Sequence, residues 1–307
     1  MKTFIKAALA ACAVAVVAAP AFAQNIIVVA HGQANDPFWS VVKNGVEEAG
    51  KDTGVNVEYR SPETFDMVAM SQLIDAAVNQ EPAGLVVSIP DADALGPSIQ
   101  RAVAAGIPVI SINSGSDVSK SLGALLHVGQ DEFDAGLAAG EKLAEMGGVN
   151  AICVNQEVGN VSLDLRCEGF TKGFGGTVKI LPTTNDPSEI QSKVSAALAS
   201  DESVDTIMAL GASTAGEPSV AAAKASGRAI KIASFDLSAS FLQSIVDGDA
   251  AFAIDQQQFL QGYLAVNFMA LQAKYGLMPG GNVPSGPNLI TADKAAQVID
   301  LSAKGIR

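Results

Sequence analysis

Short runs of β-branched residues alternate with helical segments along most of this sequence, and this alternation limits the possible folds more than any other feature. The first series has apolar runs at residues 26–30, 55–59, 84–89 and 108–112, separated by helical segments at 37–50, 66–80 and 93–105. Two strands can pair in parallel only when a crossover, usually a helix, connects them. The first part of the chain therefore predicts a parallel sheet with helices on both faces.

The same alternation starts again after a turn-rich stretch at residues 113–119 and a short apolar run at 125–128. Further strands are predicted at residues 151–154, 178–181, 206–210, 230–234 and 251–254. The accompanying helices are predicted at residues 132–146, 162–174, 187–199, 215–225, 239–247 and 259–275. We therefore expect an α/β protein with two doubly wound parallel-sheet domains. No low-complexity linker separates them, so the chain is free to cross between the domains more than once.

The first 23 residues have the features of a secretory signal peptide. Two lysines precede an apolar run at residues 7–19, and Ala21-Phe22-Ala23 supplies an Ala-x-Ala cleavage site. A lipobox-like sequence that ends at Cys12 is the alternative, but the apolar stretch before Cys12 has only about five residues, fewer than a usual hydrophobic region. We expect a periplasmic protein that is released by cleavage after Ala23, without a lipid anchor at Cys12.

The charge and the cysteines narrow the possible partners. The formal net charge is −13, and loss of the two leader lysines makes the chain more acidic. This charge opposes binding to nucleic acid or to an anionic membrane surface.

Only Cys153 and Cys167 follow the predicted cleavage site. Because an exported protein meets an oxidising compartment, we expect a disulfide between them, with two buried free thiols as the alternative. With only two histidines in the chain, a Cys/His metal site is not expected.

Polar residues with short side chains follow most of the predicted strands. In open α/β sheets, small ligands bind beyond the carboxyl ends of the strands. The candidate binding segments are therefore residues 31–36, 90–93, 113–114, 155–160, 211–213, 235–236 and 255–256. These segments contain no set of nucleophile, base and orienting group, no Gly-x-Ser-x-Gly elbow and no three-glycine phosphate turn. We therefore expect a binding protein without a cofactor and not an enzyme.

The stretch Asn35-Asp36-Pro37-Phe38-Trp39 lies between the first predicted strand and the first predicted helix. Pro37 suits the first turn of a helix, where a missing N–H costs nothing. Asn35 and Asp36 offer polar groups near a helix N-terminus, while Phe38 and Trp39 offer faces on which the C–H groups of a sugar can stack. This combination favours a small, hydroxyl-rich ligand. The alternative is that the rings pack into the core.

Together with Arg166-Cys167-Glu168-Gly169-Phe170 and Ser234-Phe235-Asp236, this stretch resembles the periplasmic sugar-binding proteins of the ribose-binding class, which serve ABC importers. The resemblance covers the whole chain after the leader. It implies two doubly wound domains, joined by three crossovers, that close on a ligand in the cleft between them. The implied division is a signal peptide at 1–23, an N-terminal lobe at 24–128 with 257–287, and a C-terminal lobe at 129–256 with 288–307.

The resemblance also implies which residues bind the ligand. Phe38 and Trp39 belong to a motif whose rings sandwich the apolar face of a sugar. Arg166 is the arginine of an Arg-x-x-Gly-Phe pattern, for which an exposed helical charge is the alternative. Asp236 belongs to a Phe-Asp pair, with a helix N-cap as its alternative role. The full set of expected binding residues is His31, Asn35, Asp36, Phe38, Trp39, Asn113, Arg166, Phe235, Asp236 and Gln256.

Two positions depart from the ribose-type pattern. Asn113-Ser114 stands where an Asp-Arg pair is usual, and Gly211-Ala212 stands where an Asn-Asp pair is usual. The loss of these charged groups favours a bulkier or less hydroxylated ligand than ribose. Residues 59–63 and 72–75 also resemble binders of the bacterial signal autoinducer-2, which keeps a sugar-derived signal or a polyol among the candidates.

The expected function is capture of a monosaccharide-like solute and its delivery to the inner-membrane permease of an ABC importer, by a protein that is a monomer. The alternative is an exported sensor, or a protein that presents a polyol or a signal such as autoinducer-2 to a chemoreceptor. A nucleotide-dependent oxidoreductase is disfavoured because the phosphate-binding turn is missing.

Overall fold

The structure of the protein, a computed structural model, describes residues 24–32 and 36–307. The predicted signal peptide and the predicted ligand residue Asn35 lie outside the described residues. None of the helices within the described ranges is long and apolar enough to cross a membrane.

Five strands from the first part of the chain form one sheet with a short strand from near its end. The elements in chain order are β1 (Asn25–Val29), α1 (Pro37–Thr53), β2 (Asn56–Arg60), α2 (Met67–Val78), β3 (Gly84–Ser88), α3 (Ala92–Ala104), β4 (Val109–Ile112) and β5 (Leu126–Gly129). The sheet has the order β11-β5-β4-β3-β1-β2, where β11 is Val283–Pro284, and all of its pairings are parallel.

A second sheet follows, with the order β12-β10-β9-β8-β6-β7. Its elements are α4 (Glu132–Glu145), β6 (Asn150–Asn155), α5 (Val161–Phe174), β7 (Thr177–Pro182), α6 (Pro187–Ser200), β8 (Thr206–Ala209), a π-helical turn (Ala212–Gly216), α7 (Glu217–Ser226), β9 (Lys231–Phe235), α8 (Ala239–Val246) and β10 (Phe252–Asp255). The chain then continues through α9 (Gln258–Tyr275), β11, β12 (Asn288–Ile290) and α10 (Ala292–Ala303). Among the strands of the described residues, only β12 pairs antiparallel, with β10.

Each sheet has an apolar core on both faces, which confirms the predicted α/β fold class. The first sheet packs against α1 and α9 on one face and against α2 and α3 on the other. The second sheet packs against α4 and α5 on one face and against α6, α7, α8 and α10 on the other. Continuous apolar strands such as Ile26–Val29 are explained by this double coverage, since both sets of side chains are buried. We call the two sheets with their helices the first and second lobes.

The chain passes between the lobes three times. It leaves the first sheet after β5 and enters α4, it leaves the second sheet after β10 and enters α9, and it returns between β11 and β12. Within each lobe the strand order reverses beside the first strand, between β1 and β3 and between β6 and β8. A reversal of this kind opens a crevice beyond the carboxyl ends of the strands.

Helix α1 extends three residues beyond its predicted end. The prediction ended it at Gly50, but Gly50 lies inside the helix, where a Cβ would approach the Val57 side chain to 2.8 Å. The helix ends at Gly54 instead, whose φ of 71° is left-handed and is readily adopted only by glycine. Gly50 is therefore required for close packing on β2 and not for ending the helix.

Helices α4 and α5 lie unusually close because glycines face each other across their contact. A Cβ on Gly136 would lie 2.2 Å from the carbonyl oxygen of Arg166, and one on Gly169 would lie 2.0 Å from that of Phe133. The predicted disulfide is confirmed and links β6 to α5, with 2.01 Å between the sulfurs of Cys153 and Cys167. Close packing and covalent linkage together fix the position of α5 in the second lobe.

Candidate functional site

A cavity lies between the lobes, at the carboxyl edges of both sheets. Residues that follow β1, β4, β6, β7, β8, β9 and β10 line it, together with the start of α1 and one turn of α5. Eight of the ten predicted binding residues line this cavity, namely His31, Asp36, Phe38, Trp39, Asn113, Arg166, Asp236 and Gln256. Phe235 does not line it, and Asn35 is outside the described residues.

Trp39 forms part of the wall that the first lobe contributes. It is only 4% exposed, and its ring lies against Gly32, where a Cβ would come within 1.8 Å of the indole. The Phe38 ring lies 5.1 Å away at an interplanar angle of 79°, so the two rings meet edge to face. A sugar can be sandwiched only between two rings whose faces are parallel, so these two rings do not form the sandwich that the resemblance implied. Trp39 is at once a core residue and a cavity wall.

Arg166 is buried and is fixed by an ion pair. Its Nε and Nη2 donate to the two carboxylate oxygens of Glu132 at 2.6 and 3.0 Å, and Nη1 donates to the Leu210 carbonyl oxygen at 3.3 Å. The guanidinium lies over the Phe235 ring, 4.4 Å from its centroid. The alternative of an exposed charge is wrong, since Arg166 is 3% exposed. Phe235 lies beneath Arg166, so it supports the guanidinium and not a sugar ring.

A hydrogen bond joins Asp236 in the cavity to Gln256, which lies where the chain crosses from β10 to α9. Gln256 Nε2 donates to Asp236 Oδ1 at 2.6 Å, and Gln256 Oε1 accepts from Asn113 Nδ2 at 3.1 Å and from Gln261 Nε2 at 3.0 Å. The N-cap of α8 is Ser238, whose hydroxyl accepts from the Phe241 N–H, so the alternative role for Asp236 is wrong. The carboxylate of Asp236 therefore lies in the cavity and is bonded to a residue that links both lobes.

Polar contacts also join the lobes on the side away from these crossings. His31 Nδ1 lies 2.8 Å from Ser88 Oγ within the first lobe. Its Nε2 lies 3.3 Å from Asn160 Nδ2 of the second lobe, and the Val161 N–H donates to the Pro90 carbonyl oxygen at 3.0 Å. These contacts exist only when the lobes are close together, so the structure is a closed arrangement that surrounds the cavity.

Burial raises the pKa values of the carboxyl groups in the cavity and lowers that of the imidazole. Burial raises the pKa of Asp236 to about 7, although the nearby Arg166 and the Gln256 hydrogen bond act in the opposite direction. Burial likewise raises the pKa of Glu157 to about 7, and it raises the pKa of Asp36. Burial, assisted by the charge of Arg166, lowers the pKa of His31 to about 3. His31 is therefore a neutral hydrogen-bonding group at physiological pH.

Six polar lining residues were not among the predicted binding residues, namely Gln156, Glu157, Asn160, Asn185, Ser213 and Thr214. The first three belong to a segment that the strand-end rule did indicate, but no motif distinguished them from their neighbours. Asn185 follows β7, so the same rule applied to that strand would have found it. Glu132 was also missed, because it lies in the first turn of α4 and acts on the site through Arg166.

The stability of the unliganded protein is expected to depend on pH through Asp236. Its pKa rises from 3.8 to about 7 on burial, so its contribution to stability is present at low pH and is lost as the pH rises through 7. The free energy of unfolding of Asp236→Asn minus that of wild type should therefore be larger at pH 8 than at pH 5, by on the order of 1–3 kcal/mol. Urea denaturation at both pH values measures this difference.

Comparison with wild type removes the opposite contribution of His31, whose lowered pKa costs stability as the pH falls below 6.5 in both proteins. The exposed Asp300→Asn substitution on α10 is the matched control and should show no such gain. An equal difference between Asp236→Asn and wild type at both pH values would contradict the raised pKa.

Comparisons with known proteins were made against families, curated proteins and solved structures. A family model described as a periplasmic binding protein domain matches residues 26–277. The xylose/arabinose-binding protein of Sulfolobus acidocaldarius is 27% identical over 257 residues, which is 78% of this chain and 64% of that protein. This chain thus spans less than two thirds of that relative. The ribose import binding protein of Haemophilus influenzae is 24% identical, over 81% of this chain and 86% of that protein.

Two solved structures are also similar. One is a carbohydrate transporter from Acidothermus cellulolyticus 11B in complex with myo-inositol, with 34% identity, a TM-score of 0.88, and coverage of 92% of this chain and 99% of that chain. The other is a periplasmic sugar-binding protein of an ABC sugar transporter from Legionella pneumophila, with 25% identity, a TM-score of 0.80, and coverage of 86% and 99% respectively.

Proposed function

The chain belongs to the periplasmic binding protein family, and we propose that it captures a polyol of monosaccharide size and delivers it to the permease of an ABC importer. Membership confirms the resemblance that three short motifs indicated. The relatives are named as import or sugar-binding proteins, so the chain is a binding protein and not an enzyme, and transport is favoured over a sensory role.

The observation that carries this proposal is the cavity between the lobes. Trp39 closes it on one side with an apolar face, and on the other side Arg166 supplies a charged group while Asp236 and Glu157 supply carboxyl groups for hydrogen bonds. A sugar or cyclitol presents C–H groups on its faces and hydroxyls around its edge, so it matches an apolar wall beside a polar rim. Hydrogen bonds to charged groups are worth about 1.5–3 kcal/mol each, so a hydroxyl that accepts from Arg166 would be bound strongly.

Ligand contacts on both lobes would stabilise the closed arrangement relative to an open one. The permease would then recognise the closed, ligand-bound form. We further propose that residues 24–128 with 257–287 and residues 129–256 with 288–307 move as the two bodies. The proposal includes export by a signal peptide at 1–23, a periplasmic location and a monomeric state.

The test combines an unbiased and a directed measurement. Small molecules that co-purify should be released by denaturation and identified by mass spectrometry. The ligand-free protein should then be screened by thermal shift against myo-inositol, D-ribose, D-xylose, L-arabinose, D-glucose, D-galactose, D-allose and D-fructose. We expect at least one of these to raise the melting temperature and to change the fluorescence of Trp39, the only tryptophan. If none of them binds and no polyol co-purifies, the proposed function is wrong.

A further inference from the structure

Among the described residues, three side chains on the second-lobe wall of the cavity form no hydrogen bond to Arg166 or Asp236. They are Gln156 and Glu157, which follow β6, and Asn185, which follows β7. These two strands are neighbours in the sheet, so their carboxyl ends bring the three side chains to one wall. All three carry oxygen atoms that accept hydrogen bonds.

Two of these oxygens are buried without a partner. Neither Gln156 Oε1 nor Asn185 Oδ1 receives a hydrogen bond from any residue within 24–32 and 36–307, and Gln156 is only 8% exposed. An unsatisfied buried acceptor costs about 1–3 kcal/mol, so proteins rarely keep one without a function. Two such acceptors on one wall of the ligand cavity indicate that they receive hydrogen bonds from the ligand.

The position of Gln156 depends on a glycine in the next strand end. A Cβ at Gly211 would lie 2.9 Å from Gln156 Nε2 and 2.7 Å from Thr214 Oγ1. The lack of a side chain at Gly211 therefore makes room for the Gln156 amide beside the end of β8. The Gln156 amide therefore occupies the space that a side chain at position 211 would otherwise fill.

Glu157 adds a carboxylate to the same wall. Asn160 Nδ2 donates to Glu157 Oε2 at 2.8 Å, and His31 Nε2 lies 3.8 Å from the same oxygen. Asn185 lies near Asp36 of the first lobe, where its side chain lowers the pKa of that carboxyl group. The wall is therefore rich in acceptors and acidic groups, and Arg166, the cation that lines the cavity, is already paired with Glu132.

We propose that Gln156, Glu157 and Asn185 form an acceptor subsite that receives hydroxyl hydrogens along one edge of the ligand. The subsite selects neutral polyols with hydroxyls on that edge over ligands that carry a carboxylate or a phosphate there, because an anionic oxygen cannot donate to these acceptors and no residue of the subsite is a cation. This inference rests on the proposed function, since it assumes that the cavity holds a polyol.

The first test uses substitutions that keep the size of the side chain and remove its acceptor. Gln156→Met and Asn185→Leu should each weaken binding of myo-inositol or D-glucose, whichever the wild type binds, by about tenfold in calorimetric titration. Because Gln156→Met also removes an unsatisfied acceptor, the melting temperature of that unliganded variant should stay the same or rise, whereas Asn185→Leu also removes the contact with Asp36. The exposed Gln297→Met on α10 is the matched control and should change neither quantity.

Opposite changes in affinity and unliganded stability are the decisive result, because a merely structural amide would lose both together. Variants that bind the neutral probe within twofold of wild type, or a Gln156→Met variant that loses stability in parallel with affinity, would overturn the subsite. A wild type that binds neither probe nor any other neutral polyol of the panel would overturn the proposed function and the subsite with it.

The second test concerns charge. D-glucuronate and myo-inositol 1-phosphate should bind the wild type at least tenfold more weakly than D-glucose and myo-inositol respectively. Glu157→Gln should narrow that difference, whereas the exposed Glu141→Gln on α4 should leave it unchanged. A wild type that binds an anionic probe as tightly as its neutral counterpart contradicts the proposed selection.

Discussion

Replacing Glu132 with leucine is expected to destabilise the unliganded protein by about 3–5 kcal/mol, because it leaves the Arg166 guanidinium buried without its carboxylate partner. Both side chains are almost fully buried, and the pair is bidentate with distances of 2.6 and 3.0 Å. Arg166→Met should cost a similar amount, since it leaves the Glu132 carboxylate unpaired. Chemical denaturation with urea measures each loss.

The double variant Glu132→Leu with Arg166→Met distinguishes stability from binding. Apolar replacement of a whole buried ion pair is often neutral for stability, so most of the lost free energy should return. Binding of the polyol should remain lost, because the guanidinium N–H groups that face the cavity are absent. A double variant that regains affinity together with stability would show that Arg166 has only a structural role.

Trp39→Ala is expected to have the second large effect and to act on stability and binding at once. The indole is part of the first-lobe core and is in contact with Gly32 and His31. Loss of such a ring costs about 3–5 kcal/mol of stability. Removal of the cavity wall should also abolish the thermal shift that the polyol produces. Loss of the thermal shift in this variant therefore does not by itself separate the two roles.

Phe38→Ala provides the comparison, because Phe38 lines the same cavity and is only partly buried. We expect it to weaken polyol binding with a much smaller loss of stability than Trp39→Ala. Calorimetric titration of both variants measures the loss of affinity, and urea denaturation measures the loss of stability. If Trp39→Ala retains wild-type affinity under conditions where it is fully folded, the indole is a core residue and has no part in recognition.

The α/β fold of each lobe follows from local patterns. Runs such as Ile26–Val29 alternate with amphipathic segments, and a parallel strand that is buried on both faces has no other common sequence pattern. The strand-end rule then places ligand residues at the carboxyl edges without knowledge of the tertiary contacts. For this reason the fold class and the lining residues at the strand ends were accessible from the residues themselves, whereas the cleft between the lobes and Arg166 came from the family resemblance.

Contacts between distant elements were not accessible in this way. The pairing of Arg166 with Glu132 joins residues 34 positions apart and depends on how closely α4 and α5 approach across their glycines. The same approach places Phe235 under the guanidinium and removes it from the cavity. A motif identifies an arginine and a phenylalanine, but packing distances decide which of the two faces the ligand.

By itself, then, the sequence determined two doubly wound lobes, the disulfide partners and the strand ends at which a ligand can bind, because these depend on hydrophobic periodicity, cysteine number and chain direction. Only the tertiary structure decided that Trp39 is both core and wall, that Asp236 is bonded to Gln256 rather than capping α8, and that two amide oxygens on the second-lobe wall lack partners among the described residues. These features depend on distances between elements that are far apart in the chain, and such distances leave no local pattern in a sequence.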